Sequence, residues 1–309
     1  MERESNDNSK LLIAFQILII VLIIGITYVI IKTDEKIKLK NNNYQHILKE
    51  YNDNLKTIED LERKLNDLAI AYKEASVDIN YKDEYFKAIK ELEDKIIAKE
   101  SDKKIAYITF DDGPYYNTYK VLDILDKYNV KATFFTTSVN GTYCYDKKDY
   151  NCLLLYQEYA KRGHTIANHT YTHAIRKGLY ASVDSFVTAL KKQETIVKEL
   201  SDGYVTNIVR FPGGSRSSGK LKQAIIAKLK KLNYGWVDWN GFDGDGGMLK
   251  SKDVAWKNFK ASIDEPIEVI LFHDYSKITT ALLPEFIEYL QNKGYILLPL
   301  FYDSNMVNK

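Results

Sequence analysis

"YITFDDGPYY", residues 107–116, ends an apolar run on two adjacent carboxylates, Asp111 and Asp112. Successive side chains of a strand point to opposite faces, so neighbouring aspartates cannot both face one site while the strand continues. Gly113 and Pro114 predict that it stops there. Glycine admits unusual backbone angles, and proline cannot donate to a ladder. The pair therefore sits where a strand gives way to a loop, and there both carboxylates can converge on one point. A capped turn is the plainer reading, since Asp and Gly are ordinary turn residues. What surrounds the stretch decides between them.

Downstream, short β-rich runs alternate with amphipathic helical stretches. "IAYITF" leads to "VLDILDKYN", "VKATFFTT" to "LLLYQEYAKRG", and "HTIANH" to "SVDSFVTALKKQETIVKELS". "TNIVRFPGG", "YGWVDWN" and "IEVILFHD" are each followed by a helical run, and "YILLPLF" closes the series. Seven strand candidates separated by helices predict an α/β domain with parallel strands. About 200 residues with this alternation suit a distorted, incomplete (β/α) barrel. An open doubly wound sheet is the alternative, but no glycine-rich phosphate loop follows the first strand.

Upstream the pattern is different. Residues 11–31, "LLIAFQILIIVLIIGITYVII", carry no charge and are long enough to cross a bilayer as a helix. No A-x-A cleavage site follows, which argues against a signal peptide. Lys32, Lys36, Lys38 and Lys40 follow the span, against Arg3 and Lys10 before it. A plain count would put the C-terminal side in the cytoplasm, but that rule weakens when a long domain is translocated. From 34 to 103 there is neither proline nor glycine. Tyr44, Leu48, Tyr51, Leu55, Ile58, Leu65, Ala69 and Tyr72 recur at helical spacing, interrupted by Glu62. This predicts a helical stalk that could pair as a homodimer. A helical hairpin packed on the next domain is the alternative, and Asn80 and Asp83 would mark its break.

Lys and Arg total 44 against 42 Asp and Glu, so no electrostatic footprint argues for a nucleic-acid partner. The 24 tyrosines fit either sugar-stacking surfaces or a core.

In barrel-like folds the working residues lie at the C-terminal ends of strands. The strand candidates end on, or lead into, Asp111-Asp112, "HTYTH" (His169 and His173), Arg210, Asp238-Trp239 and His273. Three of the five histidines fall at these ends; His46 lies in the stalk and His164 begins a strand. Histidines four apart share one face of a helical turn and can hold one metal. One added aspartate makes a two-His, one-Asp site with open positions, suited to a catalytic zinc or another divalent metal. The second aspartate is then free to act as a base.

"TFDDGP", "HTYTH", "RFPGG", "VDWN" and "LFH", in this order, resemble the five motifs of the polysaccharide deacetylases, carbohydrate esterase family 4, also called the NodB homology domain. The resemblance covers roughly residues 104–302 and takes in "KATFF" as the second strand. It implies removal of N- or O-acetyl groups from a polysaccharide. Asp111 matches the general base, and Asp112, His169 and His173 match the metal ligands. Arg210 matches the arginine that orients the base, and Asp238 an acid linked to the catalytic charge network. Trp239 matches a groove wall, Leu271 a wall of the acetyl-methyl pocket, and His273 the general acid. One departure stands out: where the family has Arg-x-Pro-Tyr, this chain has Gly213. The family uses that position's N–H for the oxyanion, and glycine keeps the donor while losing a groove-lining side chain.

Cys144 and Cys152, with seven residues between them, could close a local disulfide outside the cell; two buried thiols are the alternative. The expected layout is a cytoplasmic tail (1–10), a transmembrane helix (11–31), a stalk (32–103), a deacetylase domain (104–302) and a short tail (303–309). This places the catalytic domain on the outer face of a bacterial cell membrane. The expected substrate is peptidoglycan, at N-acetylglucosamine. Chitin, xylan or an exopolysaccharide is the alternative within hydrolases, and an inactive wall-binding scaffold the alternative outside them.

Overall fold

A computed structural model describes residues 31–38, 40–42, 44–47, 49, 52–53, 56, 79–138, 153–204, 207–247 and 249–301. The expected span at 11–31 lies outside them except for Ile31, as do the two tails, much of the stalk, Cys144 and Cys152. Among the described residues no helix is long and apolar enough to cross a membrane. The chain divides into two compact units, Met1–Tyr81 and Lys82–Lys309. In the first, the described residues from 31 to 56 are helical, with Ile37, Tyr44 and Ile47 exposed along the helix.

Helix α1 (Ile79–Ile97) leads to β1 (Lys104–Asp111), α2 (Thr118–Lys127), β2 (Thr133–Thr136), α3 (Leu155–Lys161) and β3 (Thr165–Asn168). Then come α4 (Val183–Leu200), β4 (Ile208–Val209), α5 (Lys222–Lys231), β5 (Gly235–Trp236) and β6 (Gly241–Phe242). The chain ends on α6 (Lys252–Ser262), β7 (Ile267–His273), α7 (Lys277–Asn292) and β8 (Tyr295–Leu298). Every strand pairing is parallel, as the alternation predicts. The seven expected strands are present, and β6, only two residues long, is one that no apolar run announces.

The strand order β5-β4-β3-β2-β1-β7-β6, with β8 on the first half of β1, decides the shape. β5 and β6 lie at opposite ends of that order, yet only residues 237–240 separate them. In a flat sheet six strand spacings of about 4.8 Å would part the edges by about 29 Å. Five Cα steps reach at most about 18 Å. The sheet therefore curls until its edges approach. Residues 237–240 bridge the gap: Val237 N–H donates to Val209 of β4 at 3.1 Å and Asn240 N–H to Val269 of β7 at 3.0 Å. This is the distorted, incomplete barrel, closed by a strap in place of a strand pair.

Alternation along β1 sorts its side chains between two cores. Ile105 and Tyr107 point inward with Phe135, Ala167, Ile208 and Val269. Ala106, Ile108 and Phe110 point outward against helices α2, α6 and α7. The strand is thus buried on both faces, which is why it reads as a continuous apolar run. Ile96 of α1 joins the inner core, and the Tyr107 hydroxyl donates to the buried Glu93 carboxylate. The compact unit therefore takes in helix ahead of residue 104.

His164 is buried beside β2. Its Nδ1 accepts the Ala132 N–H at 3.1 Å, and its Nε2 has no partner among the described residues. Burial, reinforced by the nearby Lys131 charge, pushes its pKa down to about 3. The unfolded chain binds a proton here below about pH 6.5 that the folded chain refuses, so stability is lost as pH falls from about 6.5 toward 3. His164→Asn keeps an acceptor without the titration. The wild type's stability relative to this variant should therefore fall across that range, read from urea midpoints. A constant difference would reject the neutral-histidine account.

Candidate active site

β1 ends at Asp111, and Asp112 turns at once into the left-handed region with φ +71°. Asp tolerates that conformation better than most residues. The turn answers the geometric problem of the doublet, because it swings Asp112 to the same side as its neighbour. Thr170, at φ +63°, does the same after β3. A β-branched residue there is strained, and it is held by the Asn168 side chain, which accepts its N–H at 2.8 Å. His169 follows the last residue of β3, and His173 returns from the loop. They face each other across a strained turn with ring centroids 5.3 Å apart, where the spacing predicted a helical one.

His169 Nε2 lies 3.6 Å from Asp112 Oδ1, and His173 Nε2 lies 3.8 Å from the same oxygen. One ligand atom from each of the three residues lies within 4.8 Å of the others. Among the described residues Asp112 Oδ1 is buried with no hydrogen-bond partner. His169 Nδ1 lies 2.8 Å from the Arg210 carbonyl, which can only accept, so Nδ1 carries the proton and Nε2 offers its lone pair. Burial lowers the His169 pKa despite the nearby aspartates, favouring the neutral ring. The donor set and the orphaned oxygen fit a divalent metal.

Asp111, 3% exposed, has its Oδ1 held by Arg210 Nη1 at 2.7 Å. Its Oδ2 lies 3.7 Å from His169 Nε2 and is the oxygen left for chemistry. Arg210 is fully buried and also donates to Thr109 Oγ1 at 2.7 Å and to the Asp238 carbonyl at 3.1 Å. Across the site His273 Nε2 stands 3.9 Å from Asp112 Oδ2.

The partner of His273 is a residue that the sequence reading did not name. The Asp238 carboxylate is taken by Ser215, whose N–H and hydroxyl donate to it at 2.8 and 2.6 Å. Asp238 meets Arg210 through its carbonyl. The acid on His273 is Asp245, with Oδ1 2.7 Å from Nδ1 and Oδ2 accepting the His273 N–H at 2.7 Å. The signal was present in "FDGDGG", a second carboxylate pair set among glycines just after Asp238-Trp239. Asp243, its companion, is pushed up to about 7 by burial and by the Asp245 charge. Burial opposes charge on His273, but the Asp245 bond and the site's aspartates outweigh it and raise the ring to about 9. His273 is therefore protonated at neutral pH, with Nε2–H facing the site.

The remaining expected residues lie nearby. Leu271 is buried two residues before His273 on the same strand face. Trp239 is half-buried on the inner core, 5.8 Å from the Arg210 guanidinium. Gly213 sits at φ +72°, and a Cβ there would meet Ile175 Cδ1 and Ser217 Oγ at 2.8 Å each. The space a tyrosine would need is thus partly filled. Among the described residues the Gly213 N–H meets no acceptor.

Comparison with known proteins adds four findings. The family model for polysaccharide deacetylase matches residues 98–234. The chain is 32% identical over 197 residues to YheN of Bacillus subtilis, which is 62% of this chain and 65% of that protein. It is 30% identical over 211 residues to a Bacillus cereus peptidoglycan-N-acetylglucosamine deacetylase, 65% of this chain and 70% of the relative. In structure it resembles the catalytic domain of peptidoglycan N-acetylglucosamine deacetylase from Eubacterium rectale, with TM-score 0.60 and 33% identity. That match covers 67% of this chain and 92% of the other.

The Asp245 assignment has a direct test. Asp245→Asn should lower the His273 titration midpoint from about 9 toward the ordinary histidine value, followed by NMR of the ring. An unchanged midpoint would reject the pairing.

Proposed function

The chain belongs to the polysaccharide deacetylase family, and on that premise we propose that it removes N-acetyl groups from peptidoglycan N-acetylglucosamine, releasing acetate. The observation that carries the reading is a carboxylate base and a protonated imidazole that both stand against one ligand set. An inactive scaffold needs none of these groups, and this chain keeps all of them.

Asp112, His169 and His173 would hold the metal, zinc or another divalent ion. Such an ion supplies Lewis acidity toward the attacking water and the acetyl carbonyl. Asp111 Oδ2 takes the proton of that water while Arg210 fixes Oδ1 and so aims the free oxygen. The Gly213 N–H is the backbone donor for the developing oxyanion, a contribution worth about 3–4 kcal/mol in other enzymes. His273 Nε2–H passes its proton to the amide nitrogen as the C–N bond breaks, and Asp245 steadies the imidazolium. Acetate and a free amine on the sugar result.

The uncharged span at 11–31 and the helical segment after it support a membrane-anchored enzyme held off the surface by its stalk. The catalytic unit would then lie outside the cytoplasm and reach the wall. The exposed Ile37, Tyr44 and Ile47 support pairing of two stalks.

The test is acetate release by the full chain in detergent. Purified peptidoglycan, N-acetylglucosamine oligomers and acetylated xylan would be compared, with and without chelator. Release from peptidoglycan that the chelator blocks and zinc restores is the expected result. No release from any polymer, with metal demonstrably bound, would overturn the reading. Asp111→Asn should lose at least about 100-fold in rate while binding metal as the wild type does, whereas His169→Ala should lose the metal. Activity retained in Asp111→Asn would remove it as the base.

A further inference from the structure

Three tyrosines absent from the mechanism stand beside the acid. The Tyr275 ring lies 5.0 Å from the His273 ring, centroid to centroid. Tyr115 meets Tyr275 edge-on at 6.3 Å, and Tyr116 lies 4.2 Å from Tyr115. The three lead outward from the acid, and Tyr116 is 65% exposed. Tyr115 and Tyr275 are half-buried, so the run leads from the acid to the surface, and a ring left exposed at its end is unusual enough to call for an occupant.

The two loops that carry them are pinned together by buried polar groups. Asn117 Nδ2 donates to the Asp274 carbonyl at 3.0 Å and to Thr280 Oγ1 at 2.7 Å. The Thr118 hydroxyl donates to the Asp274 carboxylate and accepts the Tyr115 N–H at 2.9 Å. The tyrosines thus project from a rigid corner, and a preformed surface binds at lower entropic cost than one ordered on contact.

The chemistry at His273 identifies what passes there. The acid protonates the nitrogen that stays on the sugar, whereas the acetyl carbon lies toward Asp111 and the ligand set. The ring packed against His273 therefore borders the sugar that keeps that nitrogen, and the other two continue from it. We infer that Tyr275, Tyr115 and Tyr116 form a stacking subsite for the pyranose rings next to the reacting sugar, giving the enzyme a preference for chains over single units. The inference rests on the deacetylase reading and adds a direction to it. Pyranose C–H faces pack on aromatic faces, so the contact needs the ring and not the hydroxyl.

Tyr116 is the residue to change, because it is exposed and separated from His273 by the other two rings. Two readouts on the full chain decide. The first is kcat/KM for acetate release from N-acetylglucosamine oligomers of one to five units. The second is calorimetric binding of the tetramer to the metal-loaded Asp111→Asn chain, with and without Tyr116→Ala. Tyr116→Ala should lower the tetramer-to-monomer ratio of kcat/KM about tenfold and weaken tetramer binding about tenfold, while Tyr116→Phe should restore both. Acetate release with both readouts indifferent to Tyr116→Ala would overturn the subsite and leave the deacetylase reading standing. Tetramer binding that depends on Tyr116, without acetate release, would support the subsite and overturn that reading. Failure of the tetramer to bind at all would overturn the subsite.

Discussion

The buried Arg210 guanidinium is the point on which the site depends. It ties Thr109 and Asp111 of β1 to the strap at Asp238, and its own carbonyl orients His169. Base, ligand and strap are thus positioned by one residue just past β4. Nε finds no hydrogen-bond acceptor among the described residues, and the guanidinium lies 4.2 Å from the Phe135 ring centre. Removing one partner of a buried ion pair leaves the other charge uncompensated, at a cost of about 3–5 kcal/mol. The Arg210–Asp111 pair therefore couples stability to catalytic geometry.

The second constraint is closure. A parallel sheet that returns to itself in four residues must curl, and the curl brings strand ends from distant parts of the chain to one mouth. Beneath that mouth the inner core, with Ile96 of α1 joining it, gives the charged groups a dry floor. Two of the six described non-glycine residues with left-handed backbone, Asp112 and Thr170, lie at the site, and each places a metal-ligand candidate.

Asp245 shows what sequence reading passes over. Asp238 and Asp245 are both buried aspartates of the segment after β5, and the tryptophan beside Asp238 made it the more conspicuous. Only the path of the chain tells them apart. The strap turns Asp238 toward Ser215, and the loop after β6 brings Asp245 under His273. Gly213 is the converse, since its departure is plain in the sequence while the side chains filling its space, Ile175 and Ser217, are not.

The sequence by itself determined the parallel α/β alternation, because strands buried on both faces must be apolar throughout and helices must be amphipathic. It also marked five candidate site residues, Asp111, Asp112, His169, His173 and His273, because such chemistry has to sit at strand ends and few residue types can perform it, while the family resemblance assigned their roles. The two-residue β6, the strap, the acid's partner and the tyrosine corner were decided by tertiary structure alone. Each depends on contacts between segments far apart in the chain, such as Asp245 with His273 or Asn117 with Asp274. Local pattern records the face a residue turns to its own element, and carries no record of which distant segment will meet it there.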